Sequence, residues 1–303
     1  MRTFTVITLT ILAAARIWSA EAPRADQPKP LSSDGIENFF RVTDQIYSGS
    51  SPEGDAAFAQ LQKLGIKTII TVDGAKPDVE TAKRFGIQYI HLPFGYDGVP
   101  TNRAVELAKA QSTVTGPIYV HCHHGKHRGP AAVAVMCIAS EGWTSEQALQ
   151  WLKQAGTATN YAGLYRSVGT FERPSKETLA KVPDQFPARV EVSPLVDAMV
   201  EIDLRFDHLK LIKEAGYRQP PAHPDLSPAH EALLLQELFK ELLRSTDTAA
   251  RKQDYQDHLV KAEKAALDLH RILNSPVPSK DKADAAFQSL SSSCGSCHKA
   301  YRN

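Results

Sequence analysis

The feature that most constrains this chain is a change of hydrophobic period about halfway along it. In the first half, short β-branched runs at 67–72, 87–92 and 118–121 alternate with amphipathic stretches at 77–85 and 102–113. Strand, helix, strand, helix, strand predicts an α/β layer structure with a largely parallel sheet, because parallel neighbours need a helical crossover between them. Beyond residue 194 no strand-like run remains. Leu195, Met199, Ile202, Phe206 and Leu209 recur at spacings of 4, 3, 4 and 3, and Tyr255, Leu259, Ala262, Ala266, Leu269 and Leu273 recur in the same manner. Each set makes one helical stripe. With 228–244 and 280–302 they predict an all-α four-helix bundle.

A stretch with four prolines, 173–194, separates the two patterns. At roughly 100–200 residues per domain, 303 residues accommodate both. Lys plus Arg number 35 against 34 Asp plus Glu, a net charge of +1. That balance supplies no broad electrostatic surface for nucleic acid or anionic lipid, so any basic site is local. Residues 1–22 open with Met1 and Arg2, run apolar from Phe4 to Ala15 and end in small residues, the pattern of a secretory signal peptide. The uncharged run is shorter than the roughly 18–20 residues that span a bilayer, and no other segment could cross one. The Pro- and Ser-rich 23–35 reads as a tether.

Two motifs carry chemistry. In the first, His121 and Cys122 end a strand, the loop His123, His124, Gly125, Lys126, His127 follows, and Arg128, Gly129 and Pro130 open an Ala/Val-rich helix. A loop between a strand end and a helix N-terminus turns successive backbone N–H groups toward one point, where they and the helix dipole hold a tetrahedral anion. Arg128 adds a bidentate fork. A field of that kind favours thiolate over thiol at a cysteine, which makes Cys122 the candidate nucleophile. His121, Cys122, Gly125 and Arg128 match the His-Cys-x-x-Gly-x-x-Arg pattern, so the stretch 36–175 resembles the protein tyrosine and dual-specificity phosphatase superfamily. A rhodanese-type sulfur transferase is the nearest rival, although its loop is usually shorter. The resemblance implies phosphomonoester hydrolysis through a cysteinyl phosphate. The chain departs from it at Gly129, where the family commonly has a Ser or Thr hydroxyl that helps the thiolate leave.

Phosphoryl transfer to a thiolate also needs an acid on a separate loop to protonate the leaving oxygen. Asp97, in the turn-rich 93–100 after the third strand, is the candidate, on the loop where the dual-specificity family carries its acid; Asp73 is the runner-up. His123, His124, Lys126 and His127 surround one small loop with basic side chains and suit a phosphorylated protein or a polyphosphorylated small phosphoester. As metal ligands these adjacent histidines lack a convergent helical spacing. His121 reads as a buried orienting residue, and Cys137 as buried packing.

The second motif is Cys294-Gly-Ser-Cys-His298, the attachment pattern of c-type haem. It lies on the last helix, where Ala283, Phe287, Leu290, Cys294, Cys297 and Tyr301 form one stripe that turns both thiols inward. The stretch 194–303 resembles the class II cytochromes c, the cytochrome c prime and c-556 family. That resemblance implies one covalent haem c on Cys294 and Cys297, His298 as proximal ligand and Arg302 beside the proximal face. Met199, on the inner stripe of the first helix, stands where the family places its distal residue and is the second candidate iron ligand; His208 falls on the opposite side of that helix.

The layout expected is signal peptide 1–22, linker 23–35, phosphatase-like α/β domain 36–175, linker 176–193 and haem bundle 194–303. The function expected is an exported, periplasmic, cysteine-dependent phosphatase coupled to a haem that senses redox state or a diatomic gas, or exchanges electrons with a redox partner. The alternative is a c-type cytochrome, for electron transfer or gas binding, whose first domain is a weakly active phosphoanion-binding module. An oxidising compartment would expose Cys122 to oxidation.

Overall fold

The computed structural model describes residues 27–302; the leader read at 1–22 lies outside the described residues. The first half forms strands β1 (Lys29–Pro30), β2 (Phe40–Arg41), β3 (Ile46–Gly49), β4 (Thr68–Thr71), β5 (Gln88–His91) and β6 (Ile118–His121). Its helices are α1 (Gly54–Lys63), α2 (Val79–Arg84), α3 (Thr101–Thr113), α4 (Arg128–Met136), α5 (Ser145–Gln154), α6 (Ala162–Gly169) and α7 (Lys176–Ala180). The sheet order is β1-β2-β3-β6-β4-β5. Strands β3, β6, β4 and β5 are parallel, whereas β1 and β2 add antiparallel at one edge. The sheet is therefore mixed, not largely parallel as the periodicity suggested. Two-residue strands are too short to show an alternation, and β1 falls in the stretch read as a tether.

Every residue of β3, β4 and β6 is buried, as expected of parallel strands covered on both faces. Because β6 lies between β3 and β4, the loop leaving its carboxyl end opens at the middle of the sheet, the usual place for a ligand crevice in α/β folds. Helix α4 is buried along its whole length, and its small residues let it lie close to the sheet. Trp151 of α5 is 1% exposed and donates its indole N–H to Pro130 O at 3.1 Å, which braces the start of α4 beneath that loop. A π-helical turn, Cys137–Glu141, ends α4, and Cys137 is fully buried, as its apolar setting predicted.

The C-terminal region is helical: α8 (Pro194–Glu214), α9 (Pro228–Arg244), the short α10 (Thr246–Ala249), α11 (Gln253–Leu273) and α12 (Lys280–Tyr301). Ser193 caps α8 through Val196 N–H, and Pro194 occupies the first turn, where its missing N–H costs nothing. The apolar stripes meet in one cluster, with α9 packed on α8 and on α11, and α12 on α11. Phe206 of α8 stacks on Phe287 of α12 at 5.2 Å. Among the described residues no helix is long and apolar enough to cross a membrane.

The Pro-rich connection is not free of the first half. His91 N–H donates to Pro187 O at 2.9 Å, and Val190 N–H donates to His91 Nδ1 at 3.1 Å, so 187–190 runs along the β5 edge and delivers α8 to the carboxyl end of the sheet. Gly74, three residues past β4, permits the approach: a Cβ there would lie 2.3 Å from Val196 Cγ1.

Candidate active site

The loop 122–127 connects β6 to α4 and is shaped by its neighbours. Gly125 has φ +67°, and a Cβ on it would lie 2.3 Å from Gly49 C, so only glycine fits. Donors outside the loop hold three of its carbonyls. Ser51 N–H reaches His123 O at 2.9 Å, Asn38 Nδ2 reaches Gly125 O at 2.9 Å, and Thr157 Oγ1 reaches Lys126 O at 2.7 Å. In a planar trans peptide the next N–H points away from the carbonyl before it. The N–H groups of His124, Lys126 and His127 are thereby turned from those outer donors toward the inside of the loop.

Cys122 is 3% exposed and Arg128 is 7% exposed, at the two ends of this loop. The Arg128 guanidinium meets Asp73 Oδ1 at 3.2 Å and lies over the Tyr96 ring at 4.2 Å. Two buried polar atoms of the pair, Arg128 Nε and Asp73 Oδ2, have no hydrogen-bond partner among the described residues. A buried guanidinium with an unused donor beside a ring of N–H groups is a receptor for an oxyanion.

Burial alone would raise the Asp73 carboxyl, but the Arg128 charge, the Ala75 N–H and nearby histidines outweigh it and hold it down to about 2. Asp73 is thereby kept ionised against Arg128, which its carboxylate holds in place. Its own position is held by His91, whose Nε2 donates to Asp73 O at 2.8 Å. Sequence reasoning passed over both His91 and Tyr96, since neither lies in a motif.

Asp97 stands exposed at the rim, one residue from Tyr96 and off the cavity wall that carries Arg128. Its loop is docked on α6: Val99 N–H donates to Ser167 Oγ at 2.9 Å, and a Cβ on Gly163 would lie 1.8 Å from Asp97 O. His121 is buried between Tyr119 and Tyr89, with ring centroids at 5.8 and 5.9 Å, and burial lowers it to about 4. His127 packs on Tyr161 at 4.4 Å, and desolvation with nearby positive charges lowers it too to about 4. It is a neutral packing group at pH 7, not a cation of the rim. Lys126 stays exposed.

The second motif faces the same space. Cys294, Cys297 and His298 line a cavity of about 770 Å³ together with Met199, and Tyr96, Asp73 and Arg128 line it as well. All four cysteines are free thiols, and burial raises both Cys294 and Cys297. Arg302 donates to His298 Nδ1 at 3.1 Å and lies over the Tyr96 ring at 3.7 Å, so the two halves meet through Tyr96. Burial and Arg302 lower His298 to about 4, which leaves it neutral; with Arg302 donating to Nδ1 its proton sits on Nε2, so binding iron through Nε2 requires that proton to leave or Arg302 to move off Nδ1. His208, set aside on helical geometry, is engaged elsewhere, with Nδ1 2.8 Å from the buried Glu231. His258, which no spacing singled out, also lines the cavity. Two thiols, a neutral imidazole and a thioether on one largely apolar wall fit a covalently held haem.

No family model matches the chain. Over 121 residues, 39% of its length, it is 24% identical to a dual specificity protein phosphatase, TpbA of Pseudomonas aeruginosa strain UCBPP-PA14, and spans about half (55%) of that relative. The crystal structure of P. aeruginosa TpbA is 21% identical with a TM-score of 0.42, over 48% of this chain and 90% of that one. The core catalytic domain of the PP-IP phosphatase Siw14 from S. cerevisiae, solved with citrate, is 20% identical with a TM-score of 0.42, over 48% and 91%. The first half of this chain is phosphatase-like in sequence, and an α/β unit with a mixed sheet carries its cysteine loop.

Proposed function

We propose that the chain is an exported cysteine-dependent phosphatase joined to a c-type haem four-helix bundle. The observation that carries the catalytic half is the loop 122–127, with Cys122 at one end and at the other a buried Arg128 that keeps an unused donor. In this reading the Cys122 thiolate attacks phosphorus in line with the ester oxygen. An S–P bond forms as the O–P bond breaks, and Asp97 gives its proton to the departing oxygen. Arg128 and the loop N–H groups hold the three equatorial oxygens, whose charge they match better in the transition state than in the ester. Water then attacks phosphorus, Asp97 takes its proton, and the thiolate leaves with release of inorganic phosphate. Substrates are phosphorylated proteins or small phosphoesters; the exposed Lys126 favours a densely phosphorylated one.

Gly129 makes the second step the slow one. A Cβ there would lie 3.5 Å from Cys122 Sγ, near enough for a serine hydroxyl to reach the sulfur, but 3.1 Å from Cys122 N, so the loop must yield by a few tenths of an ångström to admit it. Acid quenching with ³²P-labelled monoester should trap label on the wild type and none on Cys122→Ser, and Gly129→Ser should shed its label faster. No label on the wild type across monoesters and polyphosphates would refute hydrolysis and favour the alternative, a cytochrome with a phosphoanion-binding module.

The acid assignment has its own test. Asp97→Asn should slow alkyl phosphates by roughly 10²–10⁴-fold and aryl phosphates far less, because only the poorer leaving groups need the proton. A uniform loss would return the role to another group.

The haem half rests on the shared cavity. Cys294 and Cys297 would attach the group, His298 and Met199 would bind its iron, and when bound it supplies one-electron or gas-binding chemistry. Arg302 touches both His298 and Tyr96, which gives a change at the haem a physical route to the phosphate-holding arginine. A redox partner or a diatomic gas would act there. The Cys294-Gly-Ser-Cys-His298 pattern and the leader-like pattern at 1–22 are what support a periplasmic location in this reading.

A further inference from the structure

The phosphate loop presents its two adjacent histidines to α8. His123 Nε2 lies 3.3 Å from Asp207 Oδ2 and 3.9 Å from a carboxylate oxygen of Asp203. The His123 and His124 rings sit 4.2 Å apart and nearly edge to face. One ligand atom each from His123, His124 and Asp207 falls within 4.8 Å of the others. All three residues are half-buried, at the seam between the two halves of the chain.

The spacing is informative. A charge-assisted N–H to carboxylate bond closes to about 2.7–2.9 Å, so 3.3 Å is long for one. Two ligands each roughly 2.0–2.1 Å from a tetrahedral ion, by contrast, stand about 3.3–3.4 Å apart. The other carboxylate oxygen of Asp207 is held by Lys210, one turn along α8, which aims Oδ2 at the histidines as an outer partner commonly does for a metal-bound carboxylate. Two imidazoles and one carboxylate are a borderline-soft donor set suited to zinc, with a fourth position left for water or a phosphoryl oxygen.

We propose that His123, His124 and Asp207 form a site for a first-row divalent cation of the zinc type, which clasps α8 to the phosphate loop. The site is independent of hydrolysis and of the haem. Occupied, it fixes the helical region against the mouth of the oxyanion receptor and sets a cation beside the bound anion. Spacing along the chain could not show it, since the third ligand comes from a helix 83 residues after His124.

The test reads zinc itself. Full-length protein is dialysed against Zn²⁺, its zinc is counted by elemental analysis, and the zinc K-edge X-ray absorption is recorded, an edge that haem iron does not obscure. One zinc per chain is expected, with a first shell of nitrogen and oxygen at about 2.0–2.1 Å and no sulfur at about 2.3 Å, unchanged in Cys122→Ser. Asp207→Ala should weaken binding at least ~100-fold, and Asp203→Ala by less than ~3-fold. Both sit on one face of α8, so equal circular dichroism of the two variants separates lost ligation from lost folding. Sulfur in the shell that disappears in Cys122→Ser would mean capture by the thiolate. Sulfur that persists there would mean capture by Cys294 and Cys297. Either result, or an Asp207→Ala variant that binds like wild type, overturns the site; since no turnover is measured, neither bears on the phosphatase reading.

Discussion

Asp73→Asn will lower the unfolding free energy by about 3–5 kcal/mol, the usual cost of removing one member of a buried ion pair and leaving the other charge unpaired. The Arg128 and Asp73 side chains are 9% and 6% exposed, and no other carboxylate is paired with Arg128 among the described residues. The loss should be conditional on the anion. Sulfate or vanadate fills the receptor and pairs Arg128, and the neutral Asn no longer repels it, so these ions should raise the Tm of Asp73→Asn more than that of wild type. Saturation at about 100 times Kd is worth about 2.7 kcal/mol. The acid side follows from linkage. The Asp73 carboxyl is held at about 2, below its usual 3.8, so its stabilising contribution is complete above the usual value and disappears as the pH falls through about 2. Denaturant midpoints of wild type and Asp73→Asn should therefore converge over that window. A variant within 1 kcal/mol of wild type at pH 7 in anion-free buffer, a threshold of about the median point mutation, would show that Arg128 does not depend on Asp73.

In the proposed haem-bound protein, Met199→Ala should change the iron site from closed to open. Met199 shares the cavity with His298, and no other methionine lies in the C-terminal region, so the thioether is the candidate for the sixth position. A ferric haem with a thioether ligand has a weak far-red charge-transfer band that five-coordinate and bis-histidine sites lack. The band should be present in the wild type and absent in Met199→Ala, and reduced Met199→Ala should bind carbon monoxide stoichiometrically where wild type does not. A wild type without the band that binds the gas freely would make Met199 ordinary packing and the haem a gas sensor. A wild type without the band that excludes the gas would point to His258 on the same wall. In the sensor case any control over Arg128 must come from a ligand that favours one of two conformations of the Arg302 and Tyr96 stack.

Both cysteine motifs were legible because each is local. Cys122 and Arg128 are six residues apart in one loop, and Cys294, Cys297 and His298 lie within two helical turns. The helices of the C-terminal region were legible for the same reason, since a stripe at 4 and 3 is a property of one segment; α9, α11 and α12 begin and end within two residues of the spacing that predicted them, and α8 runs five residues past Leu209. The edge strands β1 and β2 were not, since two residues of extended chain carry no period and are held only by partners elsewhere. Both carboxylates precede a glycine, and only the family resemblance ranked Asp97 above Asp73. The tertiary structure separates them, burying Asp73 against Arg128 and leaving Asp97 at the rim.

What the sequence by itself determined, then, is the chemistry available at two places: an anion loop with a thiol, and a pair of thiols with an imidazole on one helical face. The relation between the places was decided only in three dimensions. His91 and the 187–190 segment lay the connection along β5 and bring α8 over the phosphate loop. That puts Asp207 beside His123, Arg302 on Tyr96, and His123 and Arg128 of the first motif on the cavity that Cys294, Cys297 and His298 line. The physical reason is range. Periodicity and motif spacing report forces between residues a few positions apart, whereas the buried pair, the aromatic stack and the shared cavity join residues from 55 to more than 200 positions apart, through contacts that exist only once the core has packed.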